Sequence, residues 1–400
     1  MFSVLTVQFF GVLVASLAAA LLVLPSVRKV AINRGWVDLP DGCRKVHRNP
    51  VAVVGGIGIV VGSSVGLIFL ESIANTLPTG SILPPLPVVL GALLMFGTGL
   101  YDDVKGLDFK RKFVLQIAAA YLLILSGAHI DLAGFGLGIE DGSVLEANLT
   151  MPITLLWIVG LINAINLVDG LDGLASGLSL IAFSSLALVF AVSGNLVAVA
   201  FAIPFIGGVT AFLFHNFNPA RIFMGDSGSY FLGFSLAAYS LLAPTHADPV
   251  VGAMILVVIL GIPLLDTLYA MLRRAVKGDS PFVPDRDHIH HRLMRCFSHK
   301  VSVLILYGIG ACLGLSGVSM ALLSRGSALT IFAAAVGLCL LFTVVVGHIS
   351  ATVGQEDVPS LHAAPEKSPD VSPVPSRPPQ KKVVERQWGE AQEPAPVPNP

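Results

Sequence analysis

The chain has 400 residues, of which 54% are hydrophobic and only 12% charged, and its mean hydropathy is +0.81. A water-soluble domain of that length would precipitate with so little charge, so lipid is the solvent for most of the chain, and with a formal net charge of −1 no nucleic-acid partner is expected. Four cysteines, Cys43, Cys296, Cys312 and Cys339, lie far apart without CxxC spacing, which leaves neither a zinc or redox pair nor a disulfide framework.

A membrane-spanning helix needs roughly 20 apolar residues. Runs of that kind are centred near residues 15, 60, 92, 122, 158, 184, 205, 236, 259, 312 and 338, so the fold class expected is an all-α polytopic membrane protein with about 11 transmembrane helices. The first run, Phe2 to Pro25, has no positive leader and no small-residue cleavage pattern and reads as a retained span. Basic residues gather in alternate loops: Arg28, Lys29, Arg34, Arg44, Lys45 and Arg48 after the first run, Lys105, Lys110, Arg111 and Lys112 after the third, and Arg273 to Lys300 after the ninth. The opposite loops are short or acidic, with Glu140, Asp141 and Glu146 before the fifth run and Arg325 as their one basic residue. The positive-inside rule then puts the N-terminus outside and the C-terminus in the cytoplasm. Residues 1–350 read as the catalytic membrane domain, and 351–400, rich in Pro, Ser, Glu and Gln, as a disordered cytoplasmic tail.

Polar residues collect at the ends of these runs, on the loops assigned to the cytoplasm. In the first loop, Asp41 to Pro50 includes Lys45 and His47, for which charge anchoring and ligand binding are nearly equal readings. After the third run come Asp102 and Asp103. Adjacent carboxylates at a membrane boundary repel each other and are costly to desolvate, so they point to a cation or a proton-transfer task, the alternative being an exposed helix end. Lys112, close behind, can hold phosphate or anchor the topology.

At the end of the fifth run Asn163, Asn166, Asp169 and Asp172 recur every third residue, on one side of a helix if the segment is helical, with Asn166 and Asp169 adjacent. Gly170, Gly173 and Gly177 would admit a ligand or a second backbone, and a capped helix break is the alternative. Asp226 stands between glycines at the start of the eighth run, where free backbone N–H groups suit phosphate or metal-bound phosphate, unless Asp226 and Ser227 form only an N-cap. In the last long loop His288, His290, His291 and Arg292 can neutralise diphosphate oxygens, while zinc at His288 and His291 lacks a partner cluster. Together these groups supply hard oxygen ligands for magnesium, phosphate binders and a carboxylate base for a soluble phosphorylated donor and a lipid-borne acceptor. There is no GxxxxGK[ST] loop for ATP. A transporter or flippase is the reading of another class, although transporters set their essential charges near the bilayer midplane.

Five motifs in this order, Arg44-Lys45-Val46-His47, Asp102-Asp103, Asn163 to Gly173, Phe223 to Ser229 and His288-Ile289-His290-His291, resemble the polyprenyl-phosphate N-acetylhexosamine-1-phosphate transferases. The resemblance runs from about Asp38 to His291. It implies attack by polyprenyl phosphate on the β-phosphate of a UDP-sugar, with release of UMP. Asp226 and Asn166 would hold magnesium, for which manganese is a substitute, and Asp102 and Asp103 would flank the lipid phosphate as base or electrostatic positioner. Lys112 would bind phosphate, Asp169 to Asp172 would meet the uridine, and His288, His290, His291 and Arg292 the diphosphate or sugar; Lys45, His47 and Asn163 complete the substrate-binding set. The His-Ile-His-His form after Pro284-Asp285-Arg286 looks like the branch using UDP-N-acetylglucosamine or a related simple N-acetylhexosamine, because the muramoyl-pentapeptide branch carries three consecutive histidines where Ile289 intervenes here. The implied role is transfer of N-acetylglucosamine 1-phosphate to undecaprenyl phosphate in a bacterial inner membrane, initiating an O-antigen, common-antigen, teichoic acid or capsule-type glycan. Its partners are the UDP-sugar, undecaprenyl phosphate and membrane lipids, with a homodimer allowed. Phospho-N-acetylmuramoyl-pentapeptide transfer is the alternative reaction.

Overall fold

In lipid a backbone has no water to bond, so each apolar run must satisfy its own N–H and C=O groups, and helices result. The computed structural model describes residues 2–39, 50–74, 83–135, 143–242, 245–278 and 288–356. Lys45, His47, Asp285 and residues 357–400 lie outside the described residues. In chain order the elements are α1 (Phe2–Arg34), β1 (Val37–Asp38), β2 (Val51–Ala52), α2 (Gly56–Ala74), α3 (Leu86–Lys105), α4 (Phe109–Leu125) and α5 (Val144–Val168). They continue with α6 (Leu174–Val192), α7 (Leu196–Asn216), α8 (Gly225–Leu241), α9 (Pro249–Ile259), α10 (Gly261–Lys277), α11 (Ile289–Cys296), α12 (His299–Leu322) and α13 (Arg325–Glu356). Short polar side chains mark several starts: Asp108 accepts from Arg111 N–H, Ser143 from Glu146 N–H and Asn195 from Ala198 N–H, the usual way of satisfying first-turn donors.

All eleven apolar runs fall on helices. Among the described residues eight helices are long and apolar enough to cross a membrane, or nine if the bent pair α9 and α10 is one span. The expectation of about eleven spans is met in part, and the helices differ from the apolar runs at two points. The ninth run is broken at Leu260, where α9 and α10 meet at 78°. Helices α4 and α8 have 17 residues each, about 26 Å of helix against a hydrocarbon core of about 30 Å. At the other end, α13 continues to Glu356, six residues past the boundary read from composition.

Helix α8 is the axis of the fold. Every residue from Ser227 to Ser240 is buried, and α8 packs against α3, α5 and α2. Such close approach needs small residues, since membrane helices gain contact by van der Waals packing rather than by expelling water. A Cβ at Gly233 would lie 2.6 Å from the Ile162 Cα of α5, and one at Gly228 would lie 3.0 Å from the Gly56 Cα of α2. Away from its N-terminus, α8 is locked by aromatic rings: Phe183, Phe190 and Phe201 stand 5.3–5.8 Å from the Tyr239 ring, whose O–H donates to the Ala198 carbonyl at 2.9 Å. The N-terminal turn of α8 is thus held rigidly at one end of the bundle.

Candidate active site

That turn is where the polar residues meet. The C-terminal ends of α3 and α5, the N-termini of α8 and α12, and α11 surround a cavity of about 580 Å³, lined among others by Asp103, Asn166, Asp169, Asp172, Asp226 and His291. The β1–β2 ribbon closes one side. Its second strand is stitched to the segment before α8 by Phe223 N–H to Ala52 C=O at 2.8 Å and Gly55 N–H to Phe223 C=O at 2.9 Å. Gly225 turns the chain into α8 with φ of +71°, a left-handed conformation that glycine adopts without a Cβ penalty.

The two adjacent carboxylates of α3 do different things. Asp103 accepts from the backbone N–H of Asp226 at 2.7 Å and of Ser227 at 3.1 Å, so it caps α8 from another helix. The free N–H groups expected at Asp226 for a phosphate are therefore already taken by a carboxylate, which the helix dipole favours equally. Asp102 accepts from Leu107 N–H and pairs with Lys112 Nζ at 2.6 Å. Lys112 also reaches Asp226 Oδ2 at 3.0 Å, leaving one of its three donors for a ligand. Gly99, one turn before Asp103, permits this contact, because a Cβ there would collide with the Asp226 carbonyl.

Asn166 and Asp169 end α5 at the cavity. Asn166 Nδ2 donates to Asp226 Oδ1 at 2.8 Å and to Ser229 Oγ at 2.9 Å, which leaves its carbonyl oxygen open to a ligand among the described residues. Asn163, one turn back, lies off the cavity and exchanges hydrogen bonds with Gln116 of α4, so its amide ties α5 to the helix that carries Lys112. Asp172 lines the cavity but spends its Oδ2 on Asn218 Nδ2 and Ala220 N–H, bracing the loop between α7 and α8. Asn216 does the same from the opposite direction, accepting from Gly173 N–H and Ser176 Oγ and donating to Ile222 C=O. The three glycines expected to admit a ligand or a backbone all face side chains, Gly170 the His290 imidazole, Gly173 the Phe217 ring and Tyr307 hydroxyl, and Gly177 the Tyr307 ring, while Gly170 also lines the cavity.

The histidines separate as well. His291 lines the cavity, whereas His288 and His290 are 3% and 2% exposed and turn toward Asp266 of α10. Burial, and the neighbouring His290 and His288, push the His291 pKa down to about 4, so it enters the cavity as a neutral hydrogen-bonding ring rather than as a cation. Arg292 lies over the face of Tyr269 at 5.1 Å. Residues that sequence reasoning passed over include Gln116, Asp266 and His299. Of these, Asp266 carried a signal, a lone acid inside an apolar run. His299 lines the cavity with both ring nitrogens buried and without a hydrogen-bond partner among the described residues.

The charge balance bears on magnesium. Asp103, Asp169, Asp172 and Asp226 share one cavity, and no lysine or arginine among the described residues lines it. Among the same residues no three His, Cys, Asp or Glu side chains form a ready metal cluster. That suits magnesium, which keeps several waters and takes one or two carboxylates plus substrate phosphate, better than zinc, which wants a closed protein set. The Asp169 carboxyl, recessed in the wall, feels the excess charge: burial first, then Asp226, Asp103 and Asp172, raise its pKa well above the ordinary value. A carboxyl raised in this way holds its proton more tightly folded than unfolded, so its stabilising contribution is present in acid and is lost as pH rises toward the raised value. Asp169→Asn is therefore expected to melt at a higher temperature than the wild type in metal-free buffer, by a margin that widens from about pH 4 to pH 8. Thermal denaturation at the two pH values checks this, and a constant margin would show that Asp169 is not strained.

Residues 85–243 match the family described as glycosyl transferase family 4. A probable undecaprenyl-phosphate N-acetylglucosaminyl 1-phosphate transferase of Bacillus subtilis is 37% identical over 306 residues, 76% of this chain and 83% of the relative. A decaprenyl-phosphate N-acetylglucosaminephosphotransferase of Mycobacterium tuberculosis is 37% identical over 307 residues, covering 70% and 74%. An undecaprenyl-phosphate alpha-N-acetylglucosaminyl 1-phosphate transferase of Yersinia pestis is 31% identical over 301 residues, covering 73% and 78%.

Proposed function

The chain belongs to glycosyl transferase family 4, in the branch of polyprenyl-phosphate N-acetylglucosamine-1-phosphate transferases, and we propose that it moves N-acetylglucosamine 1-phosphate from UDP-N-acetylglucosamine to undecaprenyl phosphate. The observation that carries this reading is the convergence of Asp103, Asn166, Asp169 and Asp226 on one cavity, with Lys112 bound to the rim carboxylates Asp102 and Asp226. A phosphate oxygen of the lipid attacks the β-phosphorus of the donor, a new P–O–P bond forms, the bond to the α-phosphate breaks, and UMP leaves.

Asp226 and the open Asn166 carbonyl would hold magnesium, with manganese as a substitute; bound there, the ion offsets charge on the diphosphate. The protein's own contribution is positioning and electrostatics. Lys112 directs its remaining donor to a phosphate, His291 offers a neutral hydrogen bond to the diphosphate or sugar, and Asp169 and Asp172 border the uridine. Asp102 acts through Lys112 and Asp103 through the N-terminus of α8.

The protein is multi-pass, and the site is proposed to face the cytoplasm of a bacterial inner membrane. Arg28, Lys112, Arg295 and Lys300 all lie on elements at the cavity end, and Arg28 bonds the Arg221 carbonyl in the α7–α8 loop. Arg325, at the far end, is paired with Asp248 at 3.4 Å. That bias supports a cytoplasmic site and a periplasmic N-terminus. Helices α4 and α8 both begin at the cavity, so they are proposed to carry the chain back across despite their length. Residues 357–400 are proposed as a cytoplasmic tail, and the downstream product as a cell-surface glycan of the O-antigen, common-antigen, teichoic acid or capsule type.

The test is UMP release by the purified protein in detergent with magnesium and undecaprenyl phosphate, offered UDP-N-acetylglucosamine or UDP-muramoyl-pentapeptide. Lipid-dependent UMP from the first donor alone is expected. UMP from the second alone would move the protein to the peptidoglycan reaction, and silence with both would overturn transferase chemistry in favour of transport.

A further inference from the structure

Asp266 stands on α10, just beyond the bend, and is 2% exposed. A buried carboxylate is costly unless polar partners surround it, so its partners indicate its task. Its Oδ1 accepts from the backbone N–H of Ile289, the first residue of α11, at 2.8 Å. Its Oδ2 stands 3.2 Å from His288 Nδ1 and 3.4 Å from His290 Nδ1, at ion-pair distance from both. The two rings lie nearly parallel, 8° apart with centroids at 5.5 Å, on either side of the carboxylate's reach. Neither Nδ1 is aligned for a hydrogen bond among the described residues, so the carboxylate acts on the two rings at ion-pair distance, where its charge favours the edge that carries Nδ1.

The consequence reaches the cavity by two routes. The Nε2 edge of His290 packs into the space left by Gly170, where a Cβ would lie 2.6 Å away, and Gly170 adjoins Asp169 in the cavity wall. The His290 ring also stands 4.3 Å from the ring of His291, which lines the cavity. We propose that Asp266 is a positioning residue for the transfer: one buried carboxylate anchors His288, Ile289 and His290, so that His291 alone of the three histidines is presented to the donor. This rests on the transferase reading above. It also gives a physical reason for the interruption of the histidine run at Ile289. That position contributes its N–H to Asp266 and its side chain, 5% exposed, to the core, while the histidines on either side share the same carboxylate.

The test is a double-mutant cycle between Asp266→Asn and His291→Ala, read as kcat and KM for UDP-N-acetylglucosamine together with the melting temperature. Asparagine keeps an acceptor for Ile289 N–H and removes the charge that orders the rings. The expected result is a fall in kcat/KM of at least about tenfold for Asp266→Asn in the wild-type background and of less than about twofold in the His291→Ala background, because residues acting through one another are not additive. The same fold loss in both backgrounds would overturn the proposal, since a purely structural defect does not depend on His291. If Asp266→Asn does not fold, His290→Phe keeps a ring against Gly170, removes Nδ1, and yields the same two outcomes. Wild-type activity is measured alongside, so an inactive wild type would overturn the transferase reading, whereas an active wild type with additive losses overturns only the role of Asp266.

Discussion

Asp226→Asn is expected to lower UMP release by roughly a thousandfold, on the order of 4 kcal/mol of transition-state stabilisation, while the protein still folds. The reason lies in how thoroughly Asp226 is held. Its N–H is bound by Asp103, its Oδ1 accepts from Asn166, its Oδ2 accepts from Lys112, and it stands in the first turn of a helix buried from Ser227 to Ser240. Asparagine has the same shape and keeps one oxygen for Asn166 while its amide replaces the oxygen that faces Lys112, so the substitution removes the charge and one ion pair, and the backbone contact to Asp103 keeps the turn in place. A carboxylate lost at a magnesium site also weakens the ion's hold, so the residual turnover should need more magnesium than the wild type does. Magnesium titrations of the two proteins separate the effects. Near-normal turnover of the variant at low magnesium would count decisively against Asp226 as a metal ligand.

Much of this site was legible because membrane proteins keep polar residues at helix ends only at a cost. The Asp102-Asp103 pair, the Asn163 to Asp172 series and Asp226 stood out against apolar runs, and Asp103, Asn166, Asp169 and Asp226 do line one cavity. What the pattern did not carry was direction. Residues three apart on a helix are neighbours, yet Asn163 turns to Gln116 while Asn166 turns to Asp226. Consecutive aspartates point about 100° apart on a helix, which sends Asp103 to the α8 turn and Asp102 to Lys112. The histidine segment reads as one ligand cluster in sequence, but its partner Asp266 lies 22 residues before His288, across a segment that no periodicity bridges. Length carries less still. Seventeen residues of α8 look like a short span by composition, yet their serines and glycines are packing residues of a helix that meets protein on every side.

Asp103→Asn is expected to be the most damaging change on α3, because both carboxylate oxygens are already in use. The side chain accepts from Asp226 N–H and Ser227 N–H, and asparagine offers one oxygen and turns an amide N–H toward the second donor. A charge-assisted hydrogen bond contributes about 1.5–3 kcal/mol, and a buried N–H left unpaired costs a similar amount, so a loss of about 2–4 kcal/mol in stability is expected. With the first turn of α8 loosened, Asp226 no longer stands where Asn166 and Lys112 meet it, and turnover should fall by about 100-fold. Asp102→Asn keeps an acceptor for Leu107 N–H and loses its ion pair to Lys112, but that ammonium retains Asp226 and reaches solvent, so no buried donor is left unpaired and stability should change less. The pair also decides between positioning and base chemistry. A phosphate monoester has its second pKa near 6, so the lipid phosphate is already largely dianionic at pH 7 and has little need of a base. If Asp103 acts by capping α8, the defect of Asp103→Asn persists when turnover is measured from about pH 7 to pH 9. If instead activity recovers steadily as pH rises, hydroxide is doing what the carboxylate did, and Asp103 is the proton acceptor after all.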